Sequence, residues 1–325
     1  QVTGAQDLKF NESKLVSSRN FANKIRNAAR FVMMNLDGYT PGAPEPTTPV
    51  DKWIFSRLAK LVANVDAAFD AYEFSDVTRE LYSFFWNEFC DWYLELIKPD
   101  MKEEGPRKAE AQYVLWTALR EFLILMHPIM PFVTEEIYQE LPVEKDADYL
   151  IVAHWPEAAS LKDYIDEDSE RAIQMVCDVV SAVRANRSRY GISPKTPMQA
   201  AVKAEKAEDA ALLEGQRGLI EGMGRLDALA IATDTAKPAE SAATLVPGLE
   251  VYVVLSGLVD FDAERARLQK QSKKLEADLA KLDKKLHNPG FLAKAAPEVV
   301  AKKRERAEEL KAEIGALTAQ LADFA

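Results

Sequence analysis

Between Asp260 and Ala325 the leucines recur at a spacing suited to two long helices folded on each other, and this constrains the chain more than any other feature. Phe261, Leu268, Leu275 and Leu282 stand seven apart, with Leu279 and Leu286 in the second seam position. Beyond Asn288-Pro289-Gly290 a return helix is expected. There Val300, Ala307, Ile314 and Leu321 alternate with Leu310, Leu317 and Phe324 in the 3,4 repeat of a left-handed coil. Lys303 interrupts that seam, so the tip half should be looser. Pro289 and Gly290 force the reversal, and each helix runs about 27 residues, roughly 40 Å at the α-helical rise.

Charge separates this tail from the rest. From Asp260 onward there are 14 Lys and Arg against 12 Asp and Glu, while the whole chain has 41 against 52 and a net charge of −11. Lys270, Lys274, Lys281 and Lys285 fall within roughly 60° of one another on the outgoing helix, giving one basic stripe. Such a stripe suits a long polyanion, because Lys and Arg bind nucleic acid by neutralising phosphates. A solvated face of an ordinary coiled coil has the same composition. The acidic remainder does not exclude RNA, since local positive stripes can bind while the body discourages non-specific contacts.

With 325 residues, 48% of them hydrophobic and 29% charged, the chain can bury two or three cores. No apolar run reaches the roughly 18 residues needed to cross a bilayer, so a cytoplasmic location is expected. Cys90 and Cys177 are isolated from each other and His127, His154 and His287 are scattered, so neither a disulfide framework nor a metal site is expected.

Helix signals dominate the first half. A first helix capped by Asn11 runs to about Leu36 and is followed by a loop through Pro41, Pro44, Pro46 and Pro49. Further helices read at about 51–71, 74–98 and 106–127, with a shorter one after His127-Pro128 that ends near Leu141. Long helices joined by short loops imply an antiparallel bundle. A helix at about 166–190 then leads into β-like runs at 198–203, 226–233, 244–246 and 249–255, with a helix at 207–222 between them, which indicates a small α/β domain. The expected fold is therefore mainly α: a helical bundle over 1–160, a small α/β domain over 161–258 and an antiparallel two-helix coil over 259–325.

Within the first helix Asn20, Lys24, Asn27 and Phe31 share one stripe, and Phe21, Ile25, Ala29, Val32 and Leu36 lie on the other side. Two amides, a cation and a ring suit unpaired bases, which offer a flat face for stacking and a polar edge for hydrogen bonds. Phe31 as an ordinary core-edge residue fits the same spacing. Glu88 and Asp91 lie in the aromatic run Trp86 to Tyr93 with no His, Ser or metal partner nearby, so structural hydrogen bonding is expected of them rather than catalysis.

Arg19 to Ile25, Asn27 to Phe31, Trp86 to Tyr93 and His127 to Glu136 together resemble the anticodon-binding helical domain of class I aminoacyl-tRNA synthetases, in the valyl, isoleucyl and leucyl branch. In the tail, Leu286, Asn288, Gly290-Phe291, Lys294-Ala295, Pro297 and Val299-Val300 resemble the coiled-coil turn of the valyl-tRNA synthetases. Two isolated cysteines cannot build the cysteine-rich zinc module that many isoleucyl enzymes carry. Ala182 to Arg187 and Ile192 to Pro194 are similar to the helix that opens the family's small C-terminal domain, with Tyr190-Gly191 as a less usual continuation.

The resemblance implies anticodon contacts from Lys24, Asn27 and Phe31, assisted by Asn20 and Arg19. It also implies an arm whose lysines reach the outer corner of tRNA, with Arg184 and Arg187 at phosphates between the two sites. The implied partner is tRNA(Val), bound by a monomer. The family activates valine with ATP and Mg through H-I-G-H and K-M-S-K-S signatures, and neither string occurs here. Gln1 to Asp7 looks like the stretch shortly after K-M-S-K-S, so the chain is expected to be a C-terminal fragment without catalytic residues or cofactor. The rival expectation is a helical adaptor whose coil binds proteins. An intermolecular coil gives a concentration-dependent dimer, whereas an internal hairpin satisfies its own seam.

Overall fold

The computed structural model describes residues 12–39, 42, 45–102, 104–143, 145, 147–288 and 297–322. The Asn11 cap, Pro41, Pro44, the Pro289-Gly290 reversal, the Gly290-Phe291 and Lys294-Ala295 motifs, Phe324 and the Gln1 to Asp7 stretch lie outside those residues. The described chain is mainly helical with a four-stranded mixed sheet, and it divides into two compact units, Gln1–Cys177 and Asp178–Ala325.

The first unit contains α1 (Glu12–Asn35), α2 (Pro49–Asp70), α3 (Phe74–Ser83), a π-helical segment (Phe84–Tyr93) continued by α4 (Leu94–Leu96), α5 (Pro106–Met126), α6 (Pro131–Glu140) and a short α7 (Ala158–Leu161). Thr48 caps α2 by accepting from the Asp51 backbone N–H at 3.2 Å, and Pro49 occupies the first turn, where its missing donor costs nothing. Pro106 starts α5 and Pro131 starts α6 in the same way.

The segment expected as one helix over 74–98 changes its hydrogen-bond pattern at Phe84. Its i→i+5 bonding widens the turn, a form found mostly in short bulges and often at functional sites. Phe85, Phe89 and Tyr93 stack along one face, with centroids 5.3 and 5.8 Å apart, and Phe122 of α5 stacks on Phe85 at 4.0 Å. These rings, with Ile25, Ile54, Leu58 and Leu81, form the fully buried core of this unit.

The N-terminal turn of α8 (Glu167–Arg189) is held by charge. Glu170 accepts from Lys60 at 2.8 Å and from Ser56, beside Arg57. Burial alone would raise the Glu170 carboxyl, but these donors outweigh it and hold the group below the ordinary glutamate range; Glu110, held by Thr47 and Arg107, shifts the same way. A carboxyl lowered in the folded state stabilises above its unfolded pKa, about 4.3, and loses that contribution as pH falls through its folded value. The urea midpoint of the tryptophan signal should therefore stay level from pH 7 to about 5 and drop below about 4.3. Glu170→Gln should make the drop shallower, and an unchanged pH profile would remove Glu170 from the account.

In the second unit α8 ends in a Schellman turn. Ile192 donates to the Arg187 carbonyl at 2.9 Å and Gly191 to that of Ser188 at 3.2 Å, with Gly191 at φ +63°, so the Tyr190-Gly191 sequence supplies the left-handed residue this stop requires. The sheet order is β2-β1-β4-β3, with β1 (Met198–Ala204) parallel to β2 (Leu226–Ala232) and antiparallel to β4 (Leu249–Val254), which pairs antiparallel with β3 (Ser241–Val246). Pro247-Gly248 makes the two-residue β3–β4 turn, Gly248 taking φ +73°. The single helix expected over 207–222 is two, α9 (Ala207–Gly215) and α10 (Arg217–Gly224), broken at Gln216. Gly215 and Gly218 flank the break, and glycine is a weak helix former.

The last two helices, α11 (Phe261–Leu286) and α12 (Pro297–Ala322), pack on each other. Leu268, near the start of α11, clusters with Leu317 and Leu321 near the end of α12, and Tyr190 and Val259 pack against that cluster. Ala307 and Leu310 are buried, and Lys303 is half-buried. One α11 seam position is polar: Ser272 is buried and donates to Glu276 at 2.7 Å.

Candidate nucleic-acid interface

The outward stripe of α1 forms because the opposite side is consumed by packing: Phe21, Ile25, Ala29, Val32 and Leu36 are all buried. Arg19, Asn20 and Asn27 are exposed, and Lys24 and Phe31 are half-buried. No aromatic ring among the described residues stacks on Phe31. Asn35 donates to the Phe31 carbonyl at 2.8 Å, and the buried Gln112 of α5 donates to the carbonyls of Asn35 and Asp37 at 2.8 and 3.2 Å, which fixes this end of the helix.

Lys24 has partners that sequence spacing does not foretell. Its ammonium lies 2.8 Å from Asp91 and 4.9 Å from the centre of the Trp86 ring, both on the π-helical segment. The pair is partly open to water, with Lys24 31% and Asp91 45% exposed, so a phosphate or base oxygen can compete for the ammonium. The segment adds an aromatic ladder beside the stripe. Tyr82 stacks on Trp86 at 5.4 Å and 16°, and Phe21 packs against both. The sequence signal for this neighbour is the aromatic run Trp86 to Tyr93, which begins four residues after Tyr82.

Glu88 takes the structural place expected of it, accepting from Arg57 Nε and Nη2 at 2.8 and 2.9 Å. Asp91 pairs with Lys24, as described. Cys90 is buried, and that burial pushes its thiol up to about 12, so it is not a nucleophile at neutral pH. His127 Nδ1 lies 2.9 Å from Thr134 Oγ1, a contact that ties the turn before α6. Among the described residues no group of three or more His, Cys, Asp or Glu could hold a metal ion.

In the second unit the two arginines of α8 part company. Arg184 is exposed and reaches the Met223 carbonyl at 3.4 Å. Arg187, expected at phosphates, is instead only 8% exposed: Nη1 donates to the carbonyls of Ser193 and Thr196 at 2.8 and 2.6 Å, and Nη2 to that of Gly224 at 3.1 Å. This corrects the sequence reading. The guanidinium is used as a clamp that joins the end of α8 to the loop before β1 and to the end of α10.

Lys270, Lys274, Lys281 and Lys285 are all exposed on α11. Lys281 lies 3.1 Å from Asp278, and the other three make no ion pair with a described residue. The seam residues supply the rigidity, and the stripe remains on the solvent side.

Two family models match the chain: the anticodon-binding domain of tRNA ligase over residues 51–204 and the valyl tRNA synthetase tRNA binding arm over residues 260–325. The chain is 44% identical to a valine–tRNA ligase of Nitratidesulfovibrio vulgaris over 98% of its own length and 36% of the relative's. It is 37% identical to that of Geobacter sulfurreducens over 97% and 36%, and 35% identical to that of Bacillus subtilis over 98% and 36%. The chain thus spans about a third of the length of these relatives. The α1 stripe precedes the first matched segment but falls within the span shared with the relatives.

Proposed function

Because this chain belongs to the valyl-tRNA synthetase family, we propose that it is the C-terminal, tRNA-gripping part of such an enzyme. We divide it by function into an anticodon-binding antiparallel bundle (1–160), a small α/β domain that touches the tRNA backbone (161–258) and an antiparallel coiled-coil arm (259–325). The partner is tRNA(Val), and the chain acts as a monomer in the cytoplasm. The Leu268, Leu317 and Leu321 cluster supports the monomer, since these seam residues find partners within the chain and leave the adaptor reading without support. No helix among the described residues is long and apolar enough to cross a membrane.

The observation that carries the reading is the α1 stripe, in which two exposed amides and a cation lead up to a half-buried ring on which no described aromatic ring stacks. Phe31 stacks on an unpaired anticodon base, Asn27 one turn away meets its polar edge, Lys24 exchanges Asp91 for an RNA oxygen, and Asn20 assists from further along the stripe. Arg19 assists at the rim. Arg184, Lys270, Lys274, Lys281 and Lys285 contact phosphates, and Arg187 supports that surface from inside. Contacts at the anticodon and at the outer corner of the tRNA orient its acceptor end in the longer enzyme, so that remote binding energy serves the ATP-dependent valylation. ATP and magnesium belong to that longer enzyme. Its H-I-G-H and K-M-S-K-S signatures occur nowhere in this sequence, and no residue of this chain is assigned to hold them.

Phe31→Ala tests the anticodon site. Binding of tRNA carrying a valine anticodon should weaken by about 1–3 kcal/mol, the contribution of one stacked base, with little change for a tRNA carrying a foreign anticodon. Equal affinity for parent and variant on the valine anticodon would discard Phe31 as a platform.

A further inference from the structure

We propose that Tyr82 is a second nucleobase platform, at the outer end of the Tyr82–Trp86 ladder, taking a further unpaired base of the RNA that Phe31 engages. The proposal rests on the anticodon reading above and extends it to a residue on a different helix. Tyr82 is 41% exposed although it is stacked, because Trp86 lies parallel to it at 5.4 Å and Phe21 packs at 4.9 Å with a 41° tilt. The ring is thus held by its inner neighbours and keeps open area on the solvent side. A ring fixed in this way loses little freedom when a base stacks on it.

The surroundings complete the case. Lys24 lies over Trp86, so the ladder is continuous with the α1 stripe, and Asn20 adjoins Phe21 in sequence on the exposed side. Asn87, one residue beyond Trp86, is exposed, with only a 3.4 Å contact to Ser83. Arg79, one turn before Tyr82, is 64% exposed and held only by surface pairs with Asp76 and Glu80, so it is available to a phosphate. The end of α3 and the π-helical segment that continues it therefore offer a ring, an amide and a cation, the residue types found on α1. Consecutive unpaired bases of one loop need consecutive platforms, and every base offers a face for stacking.

The test uses the full chain and a tRNA transcript with a valine anticodon, in which 2-aminopurine replaces each unpaired anticodon-loop position in turn. Tyr82→Ala should lower affinity roughly 5- to 100-fold, and Tyr82→Phe should stay within about two-fold of the parent, because the ring face and not the hydroxyl acts. The probe response at one loop position should disappear in Tyr82→Ala and persist in Phe31→Ala. Tryptophan fluorescence and circular dichroism verify that each variant is folded. If Tyr82→Ala binds like the parent while Phe31→Ala is weakened, the second platform is wrong and the anticodon reading stands. Should both bind like the parent, the anticodon reading itself fails. Equal weakening by Tyr82→Ala and Tyr82→Phe would assign the effect to the hydroxyl and overturn stacking.

Discussion

Reversal of Lys274 and Lys281 to Glu should lower the affinity for tRNA on the order of 50-fold at about 0.1 M salt, and by the same factor whichever anticodon the tRNA carries. Each lysine that neutralises a phosphate contributes about 0.9 to the slope of log K against log salt, so losing two flattens the slope by nearly 2, and at 0.1 M this corresponds to 10 to the power of about 1.8. The two ammonium groups are exposed on the same face of α11, about 10 Å apart along the helix, near one Debye length, so they act on separate phosphates. The 3.1 Å contact from Lys281 to Asp278 does not compete seriously, because Lys281 is 74% exposed and such pairs are weak. Titration across a salt series with matched and mismatched anticodons measures both quantities. A slope equal to the parent's places the RNA away from this face, and a loss confined to the valine anticodon contradicts a phosphate contact. Combined with Phe31→Ala, in the other compact unit, the two losses should add, since the sites share no partner.

Features written locally in the chain were legible without coordinates. The helices expected from about 51 and 106 begin at Pro49 and Pro106; Pro49, read as the end of the preceding loop, joins the first turn under the Thr48 cap, and the runs expected at 244–246 and 249–255 leave Pro247-Gly248 as their turn, where glycine accepts φ +73°. The buried side of α1 and the packed positions of α11 and α12 followed from periodicity, which reports burial on a helix directly. The π-helical segment was not legible. Its aromatic residues cover every face, so no period separates i→i+4 from i→i+5 bonding, and the stack on Phe122 that accompanies the wider turn comes from another helix.

Candidate-site residues divide along the same line. Exposure of Asn20, Asn27 and the four lysines of α11 follows from the face they occupy. Lys24 meets Asp91 across 67 residues, which no local pattern encodes. Arg184 and Arg187 are equivalent to a sequence reader, one turn apart and equally basic. Only the later chain, through the carbonyls of Ser193, Thr196 and Gly224, makes one a surface cation and the other a buried clamp. Tyr82 escaped notice because aromatic residues in a buried run read as core, and its 41% exposure depends on where Phe21 and Trp86 stop.

Asp51→Ala should lower the stability of the first unit by about 3 kcal/mol, the lower end of the range for breaking a buried ion pair by removing one partner. Asp51 is completely buried in the first turn of α2. Its carboxylate accepts from Tyr93 at 3.1 Å and Thr48 at 3.0 Å and pairs with Arg107 of α5, which joins α2, the π-helical segment and α5 at one point. Without it the buried Tyr93 hydroxyl lacks an acceptor and the inner edge of the guanidinium keeps only Glu110, at 3.3 Å. The lower end applies because Arg107 is 28% exposed and keeps Asp100 at 2.8 Å on its other edge. Tyr93→Phe removes only one neutral donor and should cost about 1 kcal/mol. Tyr93→Phe added to Asp51→Ala should then cost less than that, because the hydroxyl has already lost its partner. All five tryptophans (Trp53, Trp86, Trp92, Trp116 and Trp155) lie in the first unit, so fluorescence-detected urea unfolding follows this unit alone. With an m-value of about 2 kcal/mol/M, the Asp51→Ala midpoint should fall by roughly 1.5 M. A fall below about 0.5 M, or full additivity of the two substitutions, would mean that water or another group satisfies these donors and that the three helices are held together elsewhere.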